Sequence, residues 1–304
     1  MRYVVRHCTT YDYAEPVTLS HNIVRLRPRN LSSQECLQHH VRITPSPEAR
    51  TEWIDHFGNH TDYFCLKQNH RQLTIATESE VEVVGPASRD LSIGASWEQV
   101  RDLLRNPVDM DTRAAREFCF DSTYVSRSSE LASFASSCFA PGKPLGQCCL
   151  DLTELINREF EYSPGSTAVG TPVREVLRAR RGVCQDFAHL QIVCLRSLGL
   201  AARYVSGYLV TNPPPGRRRL RGADVSHAWA SVFVPEIGWI DFDPTNGVMP
   251  SDGHVSVAWA RDYEDVGPIR GILVGGRRQA LHVSVDVAPL DPPPTPPLAL
   301  CILQ

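Results

Sequence analysis

The sequence predicts an α+β protein: a β-rich N-terminal region, then helices packed on an antiparallel sheet. Three observations carry that expectation. Residues 1–88 hold stretches such as "LQHHVRI" and "QLTIATESEVEVV", where apolar and polar side chains alternate as in half-buried strands. From residue 89 the apolar positions recur at helical spacing instead, as in "SWEQVRDLLR". After residue 200 short strand-like runs return, and helices followed by antiparallel strands make an α+β domain.

Taken in order, "RPRN", "TPSPE" and "DHFGNH" supply turns between the first strands. The natural shape there is a small β-sandwich or a curled antiparallel sheet. "DTRAAREFCF" and "CCLDLTELINREF" continue the helical period, the latter through Leu150, Leu152, Leu155, Ile156 and Phe160. "TPVREVLRAR" reads as a helix with Thr171 as N-cap and Pro172 at its first position. "CQDFAHLQIVCLRSLGL" shows an apolar stripe of Phe187, Leu190, Cys194, Leu195 and Leu198, ended by Gly199. "ARYVSGYLV", "HAWASVFV", "GWIDF" and "ALHVSVDVA" read as strands. The expected organisation is an N-terminal β-rich domain (1–88), an α+β domain (89–288) and a disordered Pro-rich tail (289–304).

A formal net charge of -3 argues against a nucleic-acid partner. The one basic run, "GRRRLRG", reads as a solvated loop. No apolar stretch is long enough for a signal segment or a membrane span, so a cytoplasmic protein with no membrane association is expected. The ten cysteines include no C-x-x-C pair, which removes zinc-ribbon and thioredoxin readings. Cys148–Cys149 on a helix and His39–His40 on a strand point apart, so no metal and no cofactor are expected. The final "CILQ" fits a prenylation pattern, but without polybasic support it reads as coincidence.

The chemistry gathers around "RRGVCQDF". Cys184 tops a strongly periodic helix, whose unpaired N–H groups and positive end favour a thiolate. Gly182 removes bulk beside it and leaves room for a substrate backbone. The Cys184 N–H could serve as an oxyanion donor. Cys194, mid-helix on the stripe, reads as packing. A thiol nucleophile also needs a base and an orienting group, and His227 and Asp243 offer them from two strands joined through "PEIG". Facing each other requires an odd loop centred on Pro235, or a bulge. A four-residue loop would pair Val234 with Trp239 and send the two side chains to opposite faces. Asp241, on the same face as Asp243, is the rival orienter.

"GVCQDFAHLQIVCLRSLGLAARYVSGYL" and "SHAWASVFVPEIGWIDFDPTNG", with "YDYAEPVTLSHNIVRLRPR", "DHFGN", "FEYSPGSTAVGTPVREVLRARRGVCQDF" and "ARDYEDVGPIRG", resemble the bacterial transglutaminase-like superfamily. The resemblance spans the chain to about residue 288. It implies a papain-like, transglutaminase-like core with Cys184 as nucleophile, His227 as general base and acid, and Asp243 as orienter. The implied activity is thiol-dependent acyl chemistry on an amide or peptide substrate through a thioester, as a cysteine peptidase or amidase. The alternatives are transfer to an amine acceptor, or a non-catalytic binding module on the same fold. Tyr162, Gly182 and Trp229 are the candidate substrate-lining residues, with core packing the competing role for Tyr162 and Trp229. Asp186 reads as support for the helix end. Ser231 stands where similar sequences carry an acidic residue, a departure that bears on substrate contacts. The stretch 211–225 reads as a lid or specificity loop, its arginines favouring acidic substrates.

Overall fold

The computed structural model describes residues 1–85, 90–210 and 225–290. Five strands, β1 (Arg2–Val24), β2 (Gln34–Thr44), β3 (Ala49–Ile54), β4 (His60–Leu66) and β5 (His70–Val83), pair in the order β2-β5-β1-β4-β3. The alternation read in β5 is real: Leu73, Ile75, Thr77, Ser79, Val81 and Val83 are buried in turn. The register of β1 on β5 shifts between Asp12 and Val17, and such irregularities bend a strand. The first half of β1 therefore pairs with β5 and the second with β4, which curls the sheet. Tyr13, Val17, Val24, Leu26, Phe64, Leu66, Leu73 and Ile75 pack together as its own apolar cluster.

The helices follow: α1 (Trp97–Arg105), α2 (Met110–Arg116), α3 (Ser129–Ala135) and α4 (Leu145–Glu159). Next come β6 (Glu161–Tyr162), α5 (Val173–Ala179), β7 (Arg181–Gly182) and α6 (Cys184–Ser197). Strands β8 (Ala202–Leu209), β9 (Val225–Val234), β10 (Gly238–Phe242) and β11 (His254–Ala260) form an antiparallel sheet in the order β10-β9-β8-β11. The short α7 (Tyr263–Val266) leads to β12 (Ile269–Gly275) and β13 (Gln279–Pro289). Helix α6 packs on this sheet and against α3, α4 and α5. Every residue from Asp186 to Arg196 is buried, so the apolar stripe understates it: the helix is enclosed all round. Gln191 Nε2 donates to Thr153 Oγ1 at 2.8 Å and Arg196 to the carbonyls of Ala202, Phe120 and Arg261, while Gln191 Oε1 has no partner among the described residues. Leu198 caps α6 and Gly199 follows at φ 81°, as the left-handed exit requires.

One expectation is corrected. Helix α5 starts one residue late, with Pro172 as its N-cap, while Thr171 Oγ1 accepts from the Ala168 N–H. Strands β12 and β13 return to pair with β1. One continuous core joins Tyr3, Val5, Val81 and Val83 to the helices and the second sheet. Pro289, where the tail is expected to start, pairs with Tyr3 in β13; 86–89, 211–224 and 291–304, with the boundary at 88, most of the lid, the rest of the expected tail and "CILQ", lie outside the described residues.

Side-chain amides join the two halves. Strand β11 is an edge strand, with unpaired backbone groups along one side. Gln34 meets it as a peptide would, Oε1 accepting from Ser256 N–H and Nε2 donating to Ser256 C=O, both at 2.8 Å. Asn59 does the same to Trp259, with both contacts at 2.9 Å. Arg29 and Arg203 stack on Trp259 at 3.5 and 3.6 Å.

Buried histidines make this fold acid-sensitive. Burial lowers the pKa of His7 and of His189 from 6.5 to about 4. A depressed folded pKa contributes stability that is complete above pH 6.5 and is lost as pH falls through about 4. Urea midpoints are expected to fall steadily from pH 7 to pH 4.5, and replacing either histidine with an apolar residue should flatten that slope.

Candidate active site

Cys184 is the first residue of α6 and is half-buried. The helix end is held by Asp186, whose carboxylate accepts from the Val183 N–H at 2.8 Å and from Thr167 Oγ1 at 2.6 Å. Burial raises the Asp186 pKa, and these two hydrogen bonds oppose the rise. Gly182 is needed for this contact. A Cβ there would lie 2.8 Å from Asp186 Oδ2 and 2.9 Å from its Cβ. The room expected for a substrate backbone is thus occupied by Asp186, and Gly182 is buried.

His227 sits on the central strand β9 and is 5% exposed. The loop to β10 has three residues, since Val234 pairs with Gly238. It is odd, as the facing arrangement demanded, but centred on Glu236, at φ 67°, rather than on Pro235. Continuing the register past Phe242–Ala230 puts Asp243 opposite Trp229, one diagonal step from His227 and on its face. That step is short enough: His227 Nε2 lies 2.7 Å from Asp243 Oδ2. Asp241 instead accepts from Trp229 Nε1 at 2.9 Å. The structure thus pairs the imidazole with Asp243 and the indole with Asp241.

Asp243 is fully buried and follows directly on β10. Its Oδ1 accepts from the N–H groups of Thr245 (2.9 Å) and Asn246 (3.2 Å). Its Oδ2 accepts from His227, from Asn246 Nδ2 (2.7 Å) and from His254 Nε2 (3.1 Å). Burial would raise its pKa, but the hydrogen bonds from His227, His254 and Asn246 hold it well below the usual carboxylate range. Burial likewise opposes the charged form of His227, yet its hydrogen bonds to Asp243 and Cys184 push its pKa up to about 9. With Nε2 committed to Asp243, Nδ1 is the ring nitrogen left for Cys184.

His254 and Asn246 escaped the sequence reading. Asn246 was within sight, three residues after Asp243 in a "DPTNG" turn. His254 was not, because β11 was not recognised as a strand. His227, Asp243 and His254 offer ligand atoms within 4.8 Å of one another. Proximity alone would admit a metal, but the histidine nitrogens both meet one carboxylate oxygen at hydrogen-bond distance. The other nitrogen of His254, Nδ1, accepts from the Ser251 N–H at 3.2 Å. The donors therefore point at one another rather than at a shared centre, and the group fits a hydrogen-bond network.

Cys184 and His227 open on a cavity of about 290 Å³. Its wall includes Gln185, Tyr204 and Ser206 from the core, and His7 and Thr9 of β1 with Val283 of β13. No Lys, Arg, Asp or Glu lines it among the described residues. Tyr162 is 49% exposed, pairs with Gly182, and lies near enough for the Cys184 charge to raise its phenol pKa, after burial. Trp229, expected as a candidate lining residue, is fully buried. Its ring packs where a Gly207 Cβ would be, 2.5 Å away, so it supports the site from within. Ser231 is buried too, paired with Arg203 across the strands. Among the described residues neither Ser231 Oγ nor Arg203 Nε has a hydrogen-bond partner, and Ser231 packs inside the sheet.

Among the other described cysteines, burial pushes Cys119 up to about 11 and Cys148 up to about 12, and raises Cys149 and Cys194 well above the usual thiol range. Gly182→Ala is expected to displace Asp186 from the helix end and cost about 1–3 kcal/mol, read as a lower urea midpoint, with no comparable loss for an alanine at Gly165, where a Cβ meets nothing within 4 Å but φ is positive, beyond about 1 kcal/mol of backbone strain.

Residues 3–82 match the bacterial transglutaminase-like N-terminal region, and residues 133–244 match the transglutaminase-like superfamily core. Over 298 residues the chain is 41% identical to a Mycobacterium tuberculosis protein, covering 95% of this chain and 93% of that one. A 103-residue stretch is 38% identical to a protein-glutamine gamma-glutamyltransferase of Pseudomonas aeruginosa, 33% of this chain and 15% of that one. A solved structure of a proposed cysteine protease from Cytophaga hutchinsonii shares the fold, with a TM-score of 0.75, 24% identity, and coverage of 97% of this chain and 93% of that one. On its matched regions, its full-length relative and its fold, the chain belongs to the bacterial transglutaminase-like superfamily.

Proposed function

We propose that the protein is a thiol enzyme that cleaves an amide or peptide bond through Cys184, His227 and Asp243. The observation that carries this reading is the buried Asp243–His227 pair beside a half-buried cysteine on a helix N-terminus, facing a cavity. Cys184 Sγ attacks the substrate carbonyl carbon, and its proton passes to His227 Nδ1. The tetrahedral oxyanion is met by N–H groups at the start of α6, the Cys184 N–H first. Collapse breaks the C–N bond. His227 returns the proton to the leaving amine, and the acyl group remains on sulfur as a thioester. Water then attacks with His227 as base, releasing the acid and restoring the thiol. Asp243 stays ionised and keeps the imidazole aimed at the sulfur.

The described part of the cavity wall, which carries no Lys, Arg, Asp or Glu, suits a neutral acyl group. Hydrolysis is the primary reading; transfer to an amine uses the same thioester and is favoured by the partial likeness to the gamma-glutamyltransferase. The nine described cysteines are free, which suits a reducing compartment such as the cytoplasm. No described helix is long and apolar enough to cross a membrane.

Iodoacetamide at neutral pH should label Cys184 ahead of the other cysteines. An amide and peptide library, run with and without added amine, should give a Cys184 acyl-enzyme by mass spectrometry and turnover that Cys184→Ala abolishes. His227→Gln should lower kcat by about 10²–10⁴-fold. Uniform cysteine labelling with no acyl-enzyme would sink the proposal.

A further inference from the structure

The Asp243 carboxylate serves two imidazoles, and only one faces Cys184. The second, His254, is 7% exposed and is aimed by contacts that do not involve Asp243. Its Nδ1 accepts from the Ser251 N–H at 3.2 Å. A nitrogen that accepts carries no proton, so the ring proton sits on Nε2, the nitrogen 3.1 Å from Asp243 Oδ2. The ring stands edge-on to Trp229, with centroids 5.4 Å apart. Its strand, β11, is pinned two residues on by the two Gln34 contacts with Ser256. His254 is therefore a donor fixed in place before it meets the carboxylate.

We propose that His254 is a positioning residue: its Nε2–H holds Asp243 Oδ2 where that oxygen orients His227 toward Cys184. This rests on the thiol-enzyme reading above. Without His254, the Thr245 and Asn246 N–H groups still hold Oδ1, but Oδ2 can tilt about those contacts between Asn246 Nδ2 and His227. With His254 present, Oδ2 is fixed by three donors from three directions. The titratable groups facing the pair are His227 from β9, Asp241 from β10 through Trp229, and Cys184 from α6 beyond His227. Loosening Asp243 weakens the His227 imidazolium, and Cys184 then yields its proton only at higher pH.

Two variants isolate the bond. His254→Asn keeps an acceptor for the Ser251 N–H but is too short to reach Asp243. His254→Gln restores a donor at the reach of Nε2. In the full chain, the rate of Cys184 carboxamidomethylation is followed against pH, with urea midpoints measured alongside. The Asn variant should move the alkylation midpoint up by about one pH unit, and the Gln variant should return it to the wild-type value. A folded Asn variant with an unmoved midpoint, whatever its stability, overturns the assignment. Should that variant not fold, ¹⁵N shifts of the wild-type ring decide: an Nε2–H tautomer for His254 supports the assignment and an Nδ1–H tautomer overturns it. If wild-type Cys184 is not labelled ahead of the other cysteines, the thiol-enzyme reading itself fails, an outcome distinct from an unmoved midpoint.

Discussion

A wholly buried carboxylate, Asp243, accepts five hydrogen bonds from a turn and two strands, and the geometry of the site follows from satisfying it. An ionised group without water is costly unless its acceptor sites are filled. The turn after β10 supplies two backbone donors and the Asn246 side chain, β9 supplies His227, and β11 supplies His254. Each donor restricts where the others can stand. The charge that results is also what raises the affinity of His227 for its proton, against the effect of burial.

The N-terminal sheet belongs to this arrangement physically, although it lies far away in sequence. Through Gln34 and Asn59 it completes the hydrogen bonding of the β11 edge, the strand that bears His254. Through His7, Thr9 and Val283 it forms one wall of the cavity at Cys184. The polar pair in that wall is internally satisfied, His7 bridging Thr9 Oγ1 at 2.8 Å and Tyr208 Oη at 3.1 Å. The wall thus presents hydrogen-bonding groups without a net charge. The return of β12 and β13 to β1 ties the end of the chain to its beginning across the same cleft.

Much of this was legible along the chain. Local rules sufficed wherever the determining contacts are local: the alternation in β5, and the supported start and glycine exit of α6. They failed where partners are remote. Strand β11 carries too short a signal to stand out, and with it went His254. At Gly182 the partner is near in sequence, but only the fold shows the Asp186 side chain turning back over one helical turn into the space a Cβ would take. Trp229 sat beside a candidate base and so suggested a cleft, whereas Gly207, twenty-two residues earlier in the chain, opens the space that buries it.

By itself the sequence determined the order of elements, the helix that bears Cys184, and the residues His227 and Asp243 as its candidate partners, because periodicity and capping are properties of neighbouring residues. The tertiary structure decided between Asp243 and Asp241, since a loop centre displaced by one residue moves the register by two and only distances resolve which carboxylate the ring meets. It also decided that two histidines share that carboxylate and that an N-terminal sheet walls the cleft. Those facts depend on strands brought together across more than two hundred residues, and no local pattern encodes which edge will meet which.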